Sequence, residues 1–223
     1  MILMAQTYKE YLEEFATKYA DFPMYEPFPE HIWSQGYNTF MVRMPKSVHG
    51  LTGDEASYTL QSWWELNVPN RKEMLGALNM WRDGAIRTIY LWSTKPGTGK
   101  TGFAVACARD FADSCKGNAL IVRIPDFSML PYAEQSEVIA RASEYQAVIL
   151  DDAHRFRFTI PGQADMWHSL CDRLNRQGTK VIVTANASFN ALAHSCGQDL
   201  AASWDRIRAG GMEVIEVQGG SLR

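Results

Sequence analysis

The segment Lys95-Pro96-Gly97-Thr98-Gly99-Lys100-Thr101 joins an apolar run, Ile86 to Trp92, to a stretch of helical composition, Gly102 to Phe111. A strand that passes through a glycine-rich turn into a helix leaves few folds open. The glycines let backbone N–H groups point inward, the start of the helix favours anions, and the lysine supplies a mobile positive charge. Together these make a cradle for phosphate. In such a cradle Lys95, Pro96, Gly97, Thr98, Gly99, Lys100, Thr101 and Gly102 surround the phosphates. Lys100 serves the β- and γ-phosphates, and Thr101 offers its hydroxyl to Mg2+. Thr94 stands where the full G-x-x-x-x-G-K-[ST] pattern has its first glycine. That departure strains the pattern without removing a ligand group.

The same residues satisfy a second template. Gly97, Gly99 and Gly102 spell G-x-G-x-x-G after a strand, and Asp126 follows the next apolar run, where a dinucleotide site keeps an acid for a ribose hydroxyl. A dinucleotide turn, however, has no task for a Gly-Lys-Thr triplet, so the nucleoside-triphosphate reading is the stronger.

A triphosphate site needs a carboxylate at the end of a buried strand, to hold the magnesium shell and help polarise the attacking water. Ala147-Val148-Ile149-Leu150-Asp151-Asp152 supplies four apolar residues and then two acids. Asp151 is the magnesium-side carboxylate in this reading, and Asp152 the base or water-orienter. A buried strand capped by solvated acids is the plainer alternative, which the spacing from the glycine turn disfavours. A third apolar run, Lys180 to Ala185, ends at Asn186. Ligands of an open parallel sheet gather at the carboxyl ends of its strands. Asn186, or Thr184 just before it, is therefore placed to meet the γ-phosphate or attacking water, unless Asn186 instead caps a helix starting near Ser188.

The 223 residues, 46% hydrophobic, suffice for one good core and a small appendage. No apolar run reaches the length of a membrane span, and Met1-Ile2-Leu3-Met4 is too short for a secretion signal. Cys107, Cys115, Cys171 and Cys196 lack C-x-x-C pairing and read as reduced thiols of a cytoplasmic protein. The five histidines lack metal spacing, His154 and His168 being the one tempting pair. Residues 1–69 carry four Lys/Arg against nine Asp/Glu, whereas 154–223 carry eight against six. An acidic front suits a protein partner and a mildly basic rear suits nucleic acid, although the overall balance excludes a tight non-specific DNA binder.

From residue 70 onward, apolar runs of four to seven residues alternate with helical patterns. The expected order is helix Asn70–Trp81, strand Ile86–Trp92, the helix after the glycine turn and strand Ala119–Ile124. Helix Ser128–Tyr145, strand Ala147–Leu150, helix Gln163–Arg176 and strand Val181–Thr184 follow. Helices across Phe189–Ile207 and strand Met212–Val217 complete it. That is an α/β chain with a five-stranded parallel sheet covered by helices. Residues 1–69 read instead as a small, mostly helical segment, with helices over Tyr8–Tyr19 and Thr52–Leu66 and many aromatic residues between. They serve either as a docking module or as a layer packed on the 70–223 body.

The order KPGTGKT, VILDDA, VIVTAN, Ser203-Trp204-Asp205-Arg206-Ile207 and the tail Val217-Gln218-Gly219-Gly220-Ser221-Leu222-Arg223 resembles the AAA+ ATPases of the DnaC/DnaI helicase-loader and IstB group. The resemblance covers residues 70–223. It implies a P-loop NTPase that uses ATP and Mg2+, with no sizeable C-terminal lid and with homo-oligomers in which ATP bridges neighbouring subunits. Arg206 matches the family's arginine finger, Arg208 being the fallback, and Arg223 resembles its second arginine sensor. A helix-surface arginine paired to Asp205 or Asp199 is the alternative for Arg206. The resemblance further implies a loader of a hexameric replicative helicase onto single-stranded DNA, as in a phage or mobile element. His154-Arg155-Phe156-Arg157-Phe158 then becomes a DNA-tracking or intersubunit surface. A transposition-targeting ATPase of the IstB kind on duplex DNA is the second reading, and an ATP-gated adaptor with negligible turnover the third. Asp in place of Glu at 152 makes unaided hydrolysis slow, to be stimulated by assembly or DNA.

Overall fold

The computed structural model describes residues 58–114, 119–142, 144–195 and 198–219. The sequence-predicted helix over Tyr8–Tyr19, the first part of Thr52–Leu66, Cys115, Cys196 and Arg223 lie outside the described residues. The chain order is α1 (Leu60–Glu65), α2 (Arg71–Asp83), β1 (Thr88–Trp92), α3 (Lys100–Ser114), β2 (Ala119–Arg123), α4 (Ile124–Phe127) and α5 (Tyr132–Ala142). It continues with β3 (Ala147–Asp151), a 3-10 turn (Ala153–Arg155), α6 (Gln163–Arg176), β4 (Lys180–Ala185), α7 (Phe189–Ser195), α8 (Gln198–Arg208) and β5 (Met212–Glu216).

The five strands form one sheet in the order β2-β3-β4-β1-β5, every pair parallel. Because side chains alternate along a strand, β1 to β4 each feed two cores, while edge strand β5 buries Ile215 alone. Ile89, Leu91, Ile121, Ile149, Ile182 and Ile215 face α1, α2 and α3. Tyr90, Leu120, Val122, Val148, Leu150, Val181 and Val183 face the layer of α4 to α8. Sheets buried on both faces read as continuous apolar runs, which is why these strands stand out in the sequence.

One expected element is shorter and a further one precedes it. The helix expected over Ser128–Tyr145 is α5 alone, and the short α4 ahead of it takes over Ile124 from the expected strand. Pro125 lies in the first turn of α4, where its missing N–H costs nothing. Pro131 then stands just ahead of α5, because a helix interior has no place for it.

The described end of the front segment is part of the body. Thr59 caps α1 reciprocally with Ser62, each backbone N–H donating to the other's hydroxyl. That turn delivers Leu60, Trp63 and Trp64, each at most 4% exposed, to the core. Trp63 lies 4.4 Å, ring to ring, from Phe103 of α3. The described residues from Leu60 onward therefore share one core with α2, α3 and the sheet. The Arg82–Asp110 ion pair, at 3.2 Å and nearly buried, fastens α2 to α3. Asn70 clamps edge strand β5 by donating to the Glu216 carbonyl and accepting from the Gln218 N–H.

Candidate nucleotide-binding site

Trp92 ends β1, and the glycine turn follows at once. Gly97 and Gly99 hold φ of 76° and 88°, a left-handed backbone that β-carbons resist. Thr94 does not share it, since among the described residues the only non-glycines at positive φ are Asn67 and Asp152. The missing first glycine therefore costs no strain. Among the described residues the N–H groups of Gly97, Thr98 and Gly99 take no backbone acceptor. Thr98 is nonetheless 1% exposed. Unmatched donors, with Thr98 buried between two half-buried glycines, ahead of a fifteen-residue helix are the donor set that a phosphate group fits.

Lys100, 6% exposed, folds back over this turn. Its ammonium donates to the Lys95 carbonyl and the Thr98 hydroxyl, both at 3.3 Å. Burial lowers its pKa from the ordinary value, against the opposing pull of Asp152 and Asp151. A desolvated ammonium with two long hydrogen bonds is poised to take a stronger acceptor.

Asp151 closes β3 beside it. Its Oδ1 accepts from the Thr101 hydroxyl at 2.9 Å and the Thr184 hydroxyl at 2.7 Å, while its Oδ2 accepts from Arg123. Thr184 Oγ1 also accepts the Asp152 N–H at 2.9 Å, so one wholly buried hydroxyl locks the tips of β3 and β4 together. Thr101 and Asp151 present hard oxygens side by side, a donor set that fits Mg2+. Asp152 adopts φ 58°, ψ 42°, a conformation Asp tolerates better than most residues. Its carboxylate lies 4.0 Å from Arg155.

Asn186 does not cap the following helix. Ser188 takes that role, its hydroxyl accepting from the Ala191 N–H at 3.3 Å. Asn186 instead grips His154: its backbone N–H donates to Nδ1 at 3.1 Å, and its side-chain amide meets Nε2 at 3.1 Å. A backbone donor on Nδ1 fixes the ring proton on Nε2. Nε2–H then needs an acceptor, so the Asn186 amide is assigned with its oxygen toward the ring in place of the Nδ2 that lies there, and its NH2 group is left to donate elsewhere. His168 bonds Ser203, at 3.1 Å, so the two histidines serve different contacts.

Burial is the main cause pushing the His154 pKa below its ordinary 6.5, with Asp152 opposing and Arg155 assisting. A histidine held neutral in the folded chain contributes stability above its unfolded pKa and loses it as pH falls below. The urea midpoint of the wild type is accordingly expected to drop between about pH 7 and about pH 5.5 more than that of His154→Gln. Equal drops in the two proteins would remove His154 as the cause.

Of the aromatic residues in the expected DNA-tracking tract, Phe156 is core and Phe158 is half-buried against it. Phe156 is 5% exposed and rests against Phe127, Phe158 and Trp167. Its ring cannot stack on a base, which leaves Arg155 and Arg157 as the exposed members of that tract.

Arg206 lies far from this chain's own phosphate turn. Its carbonyl accepts from Arg87, just ahead of β1, whereas the turn follows β1, roughly 16 Å of strand away. Its Nε donates to Asp172 of α6 at 2.9 Å.

Arg123 carries no motif and is the site residue that sequence reasoning missed. The available signal was a single charge ending an otherwise apolar strand. The strand order also decides against the dinucleotide alternative. Asp126, just past β2, lies three strand spacings from β1, about 14 Å. A β-carbon on Gly102 would meet the Tyr58 ring at 3.8 Å, an ordinary contact, so the close packing that the third fingerprint glycine permits is not needed here.

A glycine turn between β1 and α3, with Lys100 and Thr101 facing the Asp151 tip of β3, defines an α/β P-loop nucleotide-binding fold. Comparison with solved structures finds a similar fold in a helicase loader and in replication initiators. No family model matches the sequence, and no curated protein does either. A crystal structure of DnaI aligns over 78% of this chain and 95% of its own, with 20% identity and a TM-score of 0.64. The DnaC helicase loader aligns over 75% and 100%, with 14% identity and a TM-score of 0.62. A replication initiator, DnaA, bound to AMPPCP and single-stranded DNA, aligns over 77% and 53%, with 16% identity and a TM-score of 0.56. At these identities the likeness is one of fold. Among the described residues no helix is long and apolar enough to cross a membrane.

Proposed function

We propose that this protein is an ATP-driven loader of a hexameric replicative helicase onto single-stranded DNA. The observation that carries the proposal is the Lys100–Thr101–Asp151–Thr184 cluster on a β2-β3-β4-β1-β5 sheet, in a fold that aligns over nearly the whole length of the DnaI and DnaC structures. The N–H groups of Gly97 to Gly99 hold the phosphates, and Lys100 leaves its long hydrogen bonds for them. Thr101 and Asp151 hold Mg2+, which when bound neutralises phosphate charge. Asp152 orients the attacking water, and the Asn186 NH2 group donates to that water or to the γ-phosphate. Arg206 serves the neighbouring subunit's nucleotide, so turnover requires assembly. Arg223 remains a sensor by resemblance only. DNA contact falls to Arg155 and Arg157, and helicase docking to residues 1–57.

The test is sizing by light scattering of the protein mixed with its host's replicative helicase, with and without ATP and Mg2+. A shortened chain starting at Tyr58, which retains the core tryptophans, is measured alongside. A stable complex that the shortened chain fails to form is the expected result. No complex, but ATP-dependent filaments on duplex DNA, would instead make the protein a transposition-targeting ATPase.

A further inference from the structure

Both carboxylate oxygens of Asp151 are engaged by the protein itself. Two hydroxyls occupy Oδ1, and a guanidinium occupies Oδ2. The hydroxyls of Thr101 and Thr184 bring no charge, whereas Arg123 does. Arg123 is the last residue of β2 and the register partner of Asp151 in the parallel ladder. The two side chains are 14% and 6% exposed, so solvent screens the pair little. A guanidinium placed there cancels the charge that draws a divalent cation and covers the lone pairs to which a metal ion or its water shell would bind.

We propose that Arg123 is a built-in competitor for the metal of this site: it holds Asp151 in the nucleotide-free protein, and binding of the metal–nucleotide complex displaces it. The inference rests on the reading of Asp151 as the magnesium-side carboxylate. Arg123 is thus a positioning residue that sets how much Mg2+ the site demands. It tunes affinity for the metal and not for the nucleotide alone, because its contact is with Asp151 and not with the glycine turn.

The experiment is a fluorescence titration of the full chain with methylanthraniloyl-ADP over a range of Mg2+ concentrations and in EDTA. For Arg123→Gln the half-saturating Mg2+ is expected to fall about tenfold, the worth of one charge-assisted hydrogen bond. Affinity in EDTA is expected to match the wild type. Arg123→Lys, which keeps the charge but loses the fork, is expected to shift less in the same direction, and it carries the test if the glutamine variant fails to fold. A midpoint that stays put or rises in the variants overturns the proposal and leaves Arg123 as a tie between β2 and β3. Wild-type protein that ignores the nucleotide altogether defeats the phosphate-site reading itself. Wild-type protein that binds nucleotide without regard to Mg2+ defeats the metal role of Asp151.

Discussion

Lys100→Ala is expected to lose nucleotide affinity by roughly 10- to 100-fold, the worth of a charge-assisted hydrogen bond in a buried site, while folding as well as the wild type. The two halves of that expectation have one cause. The Lys100 ammonium is desolvated, its pKa is lowered, and its acceptors lie at 3.3 Å. In the nucleotide-free chain it is a poorly compensated charge, so its removal takes little from the fold. Towards a phosphate the same poverty is an advantage, because no strong interaction has to be broken first. Titration with methylanthraniloyl-ADP reads the affinity, and a thermal melt without nucleotide reads the fold. A variant that binds normally would end the phosphate-cradle assignment. A variant that melts far below the wild type would make Lys100 a structural residue.

How much of this was legible in the sequence depends on the range over which each residue acts. The glycine turn, Asp151 and the apolar strands were plain, because each is a local pattern: a φ that only glycine adopts freely, or a strand buried on both faces. The division of 124–142 into two helices was also local, and Pro125 and Pro131 held the information. Other features depended on the strand order. Arg123 reaches Asp151 only because β2 neighbours β3 in register. Asp126 fails as a ribose ligand only because β1 lies between β4 and β5. Composition misled where exposure decides, since Phe156 alternates with arginines as a stacking residue would, yet it closes the core over Trp167. Trp63 and Trp64 were equally ambiguous. An aromatic pair suits a docking surface as well as an interior, and only the contact with Phe103 separates the two.

Arg206→Ala is expected to leave nucleotide binding by the isolated subunit intact and to lower turnover by the assembly roughly a thousandfold, the smaller end of what arginine fingers contribute. The fold places Arg206 at the opposite end of β1 from the phosphate turn, so the side chain cannot serve its own nucleotide. Its partner Asp172 also holds Arg176 at 2.8 Å. The carboxylate is therefore not orphaned by the substitution, and the stability cost should stay below about 1 kcal/mol for a pair this exposed. Mixing variants separates an action across the interface from simple damage. Lys100→Ala subunits keep Arg206 but hold nucleotide poorly, and Arg206→Ala subunits do the reverse. A mixture should recover turnover that neither shows alone, because some interfaces then join an intact cradle to an intact arginine. Turnover that persists in Arg206→Ala alone would move the finger to Arg208, which leans on the Phe189 ring from 5.6 Å. An inactive mixture, with both variants still assembling, would mean that no arginine crosses the interface at this position.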